Sequence, residues 1–179
     1  MANLSGNYIF CDLDGTLIRE NSLKMLIKES NKTKIQLLQL LATSAFRRNI
    51  FKVKLSQTCQ GINLNPTVNL GVVEYIEKNK KANTKVFLAT AAEYNSAVAI
   101  VKNIYKFDGI IGSDNNINNK GLRKLRSIQR IAKDATFTYI GDSKSDLAIW
   151  RKSEKSVCVE DRKITIFLAR VLRIKLEVI

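Results

Sequence analysis

Short apolar runs alternate along the chain with segments whose apolar positions recur at helical spacing. The runs at residues 8–13, 86–90, 107–112, 137–140 and 156–159 are rich in β-branched and aromatic residues and predict strands. Helical spacing predicts helices at about 68–79, 94–106, 121–133 and 145–152. Strands that alternate with helices in this way predict an α/β fold: a Rossmann-like parallel sheet with helices on both faces.

Residues 19–65 depart from this alternation because their apolar positions follow helical spacing with no strand between them. We expect them to form a small helical cap, inserted into a core made of residues 1–18 and 66–179. The predicted cap is basic, with Lys24, Lys28, Lys32, Lys34, Arg47, Arg48, Lys52 and Lys54. Of these, Arg47 and Arg48 lie near a predicted helix end, where they could meet an anionic substrate.

The first predicted strand ends in the segment Phe-Cys-Asp-Leu-Asp-Gly-Thr-Leu, residues 10–17. Positions two apart on a strand share a face, so Asp12 and Asp14 would point to one spot. Such a spot needs a metal ion, and its carboxylates can attack phosphorus and transfer a proton. Gly15 would let the backbone turn and the hydroxyl of Thr16 would hold that turn. The alternative is an acidic turn that is only solvated.

Two further segments carry polar residues where predicted strands or helices begin and end. Thr90 ends the second strand, and its hydroxyl, with the backbone N–H of Ala91, can hold a phosphate oxygen. Lys120 precedes a predicted helix, and its ammonium would offset the clustered carboxylates. Arg123 and Lys124 are competing candidates for that role, and a solvated surface lysine is the simpler alternative.

The fourth predicted strand runs into Gly-Asp-Ser-Lys-Ser-Asp, residues 141–146. The acidic residues of this loop, Asp142 and Asp146, follow Gly141 at the end of the strand. Carboxylate oxygens are suitable Mg²⁺ ligands. Either aspartate could instead cap the helix that follows.

In their order along the chain, these four segments resemble the motifs of the haloacid dehalogenase superfamily, whose members are mostly Mg²⁺-dependent phosphatases. The resemblance implies that Asp12 is the nucleophile and that Asp14 is the general acid and base. It also implies phosphate binding by Thr90, Ala91 and Lys120.

The same resemblance implies a Mg²⁺ site, which is the expected cofactor. Its ligands would be Asp12, the backbone carbonyl of Asp14 and Asp142, together with phosphate and water. Asp146 would support the site by orienting water or Lys120, with Gly141 and Thr16 shaping the turns.

Residues 8–160 are more closely similar to the phosphatase-like domain that is often fused ahead of a membrane prenyltransferase of the ubiquinone-biosynthesis type. This likeness implies a phosphosugar or a polyprenyl-linked phosphosugar as substrate. It also implies a membrane prenyltransferase as a partner, beside the small phosphorylated substrate, and the net charge of +14 adds an anionic membrane surface as a further candidate. Two alternatives stay open: a phosphotransferase or mutase, and a non-catalytic partner of the membrane enzyme.

Composition narrows these expectations. The chain has 179 residues, a net charge of +14 and no histidine, which excludes histidine-based catalysis. The charge favours anionic partners, but the basic residues are scattered without interleaved aromatic residues, so nucleic acid is not the expected partner. Three cysteines without paired spacing predict free thiols and a cytoplasmic protein, at most peripheral at the inner face of a membrane. We find no pattern typical of a signal peptide or a membrane-spanning segment.

The stretch from residue 162 to residue 179 mixes apolar with basic residues. We expect a helix with one apolar and one basic face, which would either pack on the domain or lie on an anionic membrane. Cys11, beside Asp12, is expected to fill the core because neighbouring strand residues face opposite sides.

Overall fold

A computed structural model describes residues 8–59, 61, 64–160 and 163–179. The predicted start of the core at residues 1–7, residues 60, 62 and 63 of the predicted cap, and Arg162 lie outside the described residues. The strands are β1 (Tyr8–Cys11), β2 (Lys85–Glu93), β3 (Gly109–Ser113), β4 (Phe137–Gly141), β5 (Lys155–Cys158) and β6 (Leu176–Val178). The helices are α1 (Ser22–Glu29), α2 (Lys34–Ala42), α3 (Arg48–Thr58), α4 (Leu70–Asn79), α5 (Tyr94–Val101), α6 (Leu122–Ala132), α7 (Leu147–Trp150) and α8 (Lys163–Val171), with a 3₁₀ turn at Lys144–Asp146.

The six strands form one parallel sheet in the order β3-β2-β1-β4-β5-β6, which confirms the predicted α/β fold. Alternation along β1 separates two cores. Ile9 and Cys11 pack with α4 and α5 on one face, whereas Phe10 packs with α6 and α7 on the other. Cys11 is fully buried, as expected, and burial raises the pKa of its thiol well above the usual value.

The order of the strands also positions the site. From β1 the chain moves outward through β2 and β3, then returns to β4 on the other side of β1. In open parallel sheets, ligands bind outside the carboxyl ends of the strands at such a switch point. The loops that follow β1 and β4 therefore lie side by side, and they carry Asp12 and Asp142.

The helices α1, α2 and α3 lie between β1 and α4 in the chain and share a small apolar cluster of their own. Its buried members are Leu26, Leu55 and Cys59. The third helix is anchored to the core by one polar face: Asn49 donates to the carbonyls of Asp114 and Asn115, at 3.2 and 2.6 Å. Ser56, two turns further on, accepts from the hydroxyl of Ser96 at 2.7 Å.

The C-terminal stretch differs from the prediction of one amphipathic helix. It forms α8, and then β6, which pairs with β5 as a sixth strand. The helix packs through its small residues Thr165 and Ala169, while Ile164, Phe167 and Val171 remain exposed. Ile174 and Leu176 pack against the core cluster that α6 and α7 share, whereas for the exposed residues of α8 contact with a membrane stays a prediction. Among the helices of the described residues, none is both long enough and apolar enough to cross a bilayer.

Candidate active site

Asp12 lies at the floor of a cleft, directly after the last residue of β1. It is 7% exposed, and one of its oxygens accepts from the backbone N–H of Leu13 at 2.8 Å. The other oxygen lies 2.9 Å from Nζ of Lys124. Burial raises the pKa of Asp12 to about 7, although the ammonium of Lys124 acts in the opposite direction. A buried carboxylate held in place by a cation is well suited to nucleophilic attack.

Lys124 is the cation of this floor. It lies on the buried face of α6, and its Nζ also donates to the hydroxyl of Tyr139 at 2.9 Å and approaches Asp146 at 3.5 Å. Burial alone would disfavour its charge, but Asp12 and Asp146 outweigh burial and raise the pKa of Lys124. The lysine is therefore a fixed positive charge beside Asp12.

Asp146 holds this arrangement together. It is fully buried, and one oxygen accepts from the hydroxyl of Tyr139 at 2.8 Å. Its second oxygen accepts from the backbone N–H and the hydroxyl of Ser143, at 3.1 and 3.0 Å. A Cβ atom at Gly141 would lie 2.9 Å from both Asp146 and the ring of Tyr139, so this position requires glycine. Hydrogen bonds between Ser143 and Asp146, both in the loop after β4, therefore hold this loop in one conformation.

The carboxylates of Asp12, Asp142 and Asp146 can each offer an oxygen within 4.8 Å of the others. A set of carboxylate oxygens suits Mg²⁺, which prefers hard oxygen ligands and keeps several waters. Asp12 and Asp142 line the cleft, whereas Asp146 is fully buried and does not line it, so Asp12 and Asp142 are the better direct ligands. The residues present therefore fit the predicted ion, with Asp146 in the supporting position.

Asp14 lies outside this cluster of three carboxylates. Its oxygens accept from the backbone N–H and the hydroxyl of Ser22, at 2.8 and 3.1 Å. Burial raises the pKa of Asp14, although the two bonds from Ser22 oppose this. Since Asp14 also lines the cleft, it is a carboxyl group that can hold a proton close to Asp12.

The turn after β1 is held by backbone bonds rather than by the hydroxyl of Thr16. Gly15 has a positive φ of 71°, which glycine adopts without strain. The N–H of Leu17 donates to the backbone carbonyl of Asp12 and that of Ile18 to the backbone carbonyl of Leu13, at 3.3 and 3.0 Å. The buried hydroxyl of Thr16 makes no hydrogen bond with the described residues. Its expected role in pinning the turn is therefore wrong.

Thr90 and Ala91 line the cleft within β2, which continues three residues beyond the predicted end of this strand. The hydroxyl of Thr90 accepts from the N–H of Ala92 at 3.0 Å. Its carbonyl accepts from the side chain of Asn119 at 3.0 Å, which ties β2 to the loop before α6. Thr90 is buried and keeps its hydroxyl hydrogen as a donor.

The lysine predicted for the phosphate site and its competitor occupy different positions. Lys120 is exposed and lines the cleft at its edge, whereas Lys124 contacts Asp12 at the floor. Helical spacing could have distinguished them, because Lys124 shares the apolar face of Ile128 and Ala132 on α6. Lys120 precedes that helix.

The predicted cap contributes one cation that reaches the core. Lys52, on the anchoring face of α3, donates to the carbonyl of Ala91 at 2.6 Å and approaches Asn118 at 3.4 Å. Burial lowers the pKa of Lys52, while Asp14 acts in the opposite direction. Arg48 also lines the cleft, but Arg47 does not. Sequence reasoning grouped Lys52 with the other basic residues because contacts across 39 positions leave no local pattern.

The chain matches no protein-family model. It is 31% identical over 154 residues to the uncharacterized protein y4nM of Sinorhizobium fredii (strain NBRC 101917 / NGR234). The match covers 86% of this chain but 30% of that protein, so the chain spans less than a third of its relative's length.

Solved structures share the fold at low sequence identity. A Bordetella pertussis Tohama I protein of unknown function has a TM-score of 0.70 at 10% identity, over 96% of this chain and 98% of its own. A phosphoserine phosphatase in apo form has a TM-score of 0.62 at 14% identity, over 93% and 97%. A phospho-aspartyl intermediate analogue of phosphoserine phosphatase has a TM-score of 0.54 at 13% identity, over 93% and 97%. The fold is therefore that of known phosphatases.

Proposed function

We propose that the chain is a Mg²⁺-dependent phosphomonoester hydrolase that forms an aspartyl phosphate on Asp12. The observation that carries this proposal is the floor of the cleft, where Asp12 lies 2.9 Å from the buried ammonium of Lys124. Its carboxylate also lies in the acidic cluster with Asp142 and Asp146. The fold shared with phosphoserine phosphatases, one of them a phospho-aspartyl intermediate analogue, supports it further.

In the first step, an oxygen of Asp12 attacks phosphorus while the bond to the ester oxygen breaks. Asp14 gives its proton to that leaving oxygen, so the alcohol departs neutral. The raised pKa of Asp14, caused by burial, supports this role because it favours the protonated form. In the second step, water attacks the aspartyl phosphate and gives a proton to Asp14, which releases inorganic phosphate and restores Asp12.

Charge on the phosphoryl oxygens is met by groups around the same point. We assign Lys124, rather than Lys120, to the phosphate-binding role, with the hydroxyl of Thr90 and the N–H of Ala91. Asp12 and Asp142 would hold the Mg²⁺ ion, which supplies charge neutralisation when bound. Asp146 and Gly141 would keep Lys124 and the loop of Asp142 in position.

The substrate and the setting belong to the same proposal. On the resemblance of residues 8–160, we assign a phosphosugar or a polyprenyl-linked phosphosugar, hydrolysed in the cytoplasm. Contact with an anionic membrane surface or a membrane prenyltransferase stays a prediction. The exposed Ile164, Phe167 and Val171 beside Lys163 and Arg170 favour the membrane surface, and sedimentation with anionic vesicles would test it.

The experiment measures phosphate release from a panel of aryl, sugar and nucleotide phosphates, with and without Mg²⁺. We expect Mg²⁺-dependent turnover that falls by a factor on the order of 10⁴ or more in Asp12→Asn. Asp134→Asn, the same change at an exposed position after α6, should keep wild-type turnover. Equal turnover in wild type and Asp12→Asn would refute the nucleophile assignment.

The two alternatives predict different results in the same assay. A phosphotransferase would transfer phosphate to an added sugar acceptor in preference to water. A non-catalytic partner would show no turnover on any ester and would co-purify with a membrane protein. The complete set of carboxylates at the floor argues for a hydrolase, since a binding partner has no need of it.

A further inference from the structure

The second helix of the predicted cap exposes apolar side chains that a small domain would ordinarily bury. No residue of α2 is buried, and Ile35 and Leu38 are 68% and 65% exposed. Leu37, Leu38 and Leu41 line the cleft above Asp12. Their spacing puts them on one side of the helix. This side therefore forms a wall of the cleft, while Ile35 lies outside it.

The neighbouring helices extend the same wall. Leu23 and Leu26 of α1 and Phe51 of α3 also line the cleft. The cleft has a volume of about 840 Å³, within the range of sites for drug-sized ligands and far larger than a phosphate ion requires. The cleft therefore has room for much more than a phosphoryl group.

Most polar residues that line the cleft belong to the core, whereas all of its large apolar lining residues belong to the predicted cap. Asp12, Asp142 and Lys124 lie at the floor, and the cap adds the cations Lys34, Arg48 and Lys52, of which Lys52 bonds to the core at Ala91. A sugar ring placed against the leucines would lose water from its hydroxyls without gaining hydrogen bonds from them, which is costly. An aliphatic chain would gain from the same contact.

We propose that the substrate carries an aliphatic chain that lies along the leucine wall while its phosphoryl group lies at the floor. Of the two substrates assigned above, this favours the polyprenyl-linked phosphosugar, with its polar sugar near the polar lining residues rather than the leucines. This inference rests on the proposed function for the phosphoryl end, but the wall can be tested separately. Ile35 and Leu38 form a matched pair, since they are isomeric, similarly exposed and on the same helix.

The experiment measures kcat/KM with Mg²⁺ for straight-chain alkyl phosphates from ethyl to octyl, each below its critical micelle concentration. Binding of the corresponding alkyl phosphonates, which cannot be hydrolysed, is measured by calorimetry. Each methylene that becomes fully buried should raise kcat/KM by up to about fourfold. We expect a ratio of octyl to ethyl phosphate of at least about tenfold, with the phosphonates following the same trend.

Three variants of α2 test whether the alkyl chain of the substrate contacts the leucine wall. Leu38→Gln should lower the ratio of octyl to ethyl phosphate by about threefold or more, because glutamine cannot offer the same apolar contact. Leu38→Met should retain the ratio, and Ile35→Gln should leave it at the wild-type value. Equal effects of Leu38→Gln and Ile35→Gln would contradict the proposal.

The possible outcomes test the aliphatic part of the substrate separately from the phosphatase reaction. Turnover of all esters without any dependence on chain length would overturn the aliphatic substrate and leave the phosphatase intact. Phosphonate binding that strengthens with chain length, without turnover of any ester, would support the wall and refute the hydrolase. Binding that is independent of chain length in both series would overturn the inference, and the exposed leucines would then belong to a protein or membrane contact.

Discussion

The floor of the cleft and its leucine wall differ in burial: the floor buries charged side chains, whereas the wall exposes an apolar one. At the floor, Lys124 is buried and paired with both Asp12 and Asp146. On the wall, Leu38 is 65% exposed and packs against little of the protein. The ion pairs of the floor are formed before any ligand arrives, which suits a fixed reaction, whereas the exposed side of Leu38 would be covered only by a ligand.

The two regions also differ in how they are held. The floor is built on loops that follow adjacent strands. In the loop after β4, Asp146 accepts two hydrogen bonds from Ser143 of the same loop. The predicted cap is tied to the core through one face of α3, where Asn49, Lys52 and Ser56 bond to core residues, and through Ser22, which donates to Asp14. The leucines of the wall make none of these bonds, so substituting them should leave the bonded groups of the floor in place. The largest effects of substitution should therefore occur at the floor.

The strongest way to break this comparison is to remove the cation of the floor. Lys124→Met should reduce kcat/KM by at least about 10³-fold and lower the free energy of unfolding by about 3–5 kcal/mol. The physical reason is that Asp12 and Asp146 would remain buried without their counter-charge. Phosphate release and urea denaturation measure the two effects.

Lys120→Met is the matched control, because Lys120 is exposed at the edge of the same cleft. Its unfolding free energy should stay within about 0.5 kcal/mol of wild type, and its turnover should fall by less than about tenfold. If Lys124→Met does not fold, Lys124→Arg supplies the test, since it keeps the charge but changes the geometry. The reverse ranking of Lys124 and Lys120 would return the phosphate-binding role to Lys120.

A smaller effect should follow from crowding the loop that holds Asp142. In Gly141→Ala the new methyl group would lie 2.9 Å from Asp146 and from the ring of Tyr139, both of which are buried. We expect a loss of about 1–3 kcal/mol in the free energy of unfolding, together with weaker Mg²⁺ dependence of turnover. Urea denaturation and a Mg²⁺ titration of phosphate release measure these changes.

Gly71→Ala provides the control for this substitution. Its Cβ would meet only Asn69, at an ordinary 3.5 Å, and Gly71 lies in α4. Alanine is the better helix former, so stability should stay the same or rise by up to about 1 kcal/mol. Equal stabilities of the Gly141→Ala and Gly71→Ala proteins would show that the loop after β4 is not tightly packed.

The smallest effect should arise at Lys52, the cation through which the predicted cap bonds to the core in the cleft. Lys52→Met removes a cation that α3 holds beside Ala91, and we expect KM for phosphate esters to rise by about tenfold with little change in kcat. Lys54→Met is the control, because Nζ of Lys54 bonds to the carbonyl of Thr43, a residue that does not line the cleft. A fall in kcat with constant KM would place Lys52 in the chemistry instead of substrate binding.

The main elements of the core were predictable because their signals are local. The apolar run of β1 and the alternation of strands with helices predict a parallel sheet, and its order brings Asp12 and Asp142 to adjacent loops. The last strand, β6, was missed because three residues next to a helical pattern give no distinct period. The prediction that the hydroxyl of Thr16 holds the turn after β1 was also wrong, since backbone groups hold that turn instead.

By itself, the sequence determined the α/β class and the acidic residues of the floor, because the strand period and the short motifs depend only on residues that are close together in the chain. Helical spacing can assign Lys124 to the apolar face of α6, but only the tertiary structure brings that face against Tyr139 and Asp12 and so gives Lys124, not Lys120, the contact at the floor. The contact of Lys52 with Ala91 and the exposed leucines of α2 were likewise decided there. Burial and long-range contact are properties of the packed chain, and they determine which of many similar side chains face the cleft.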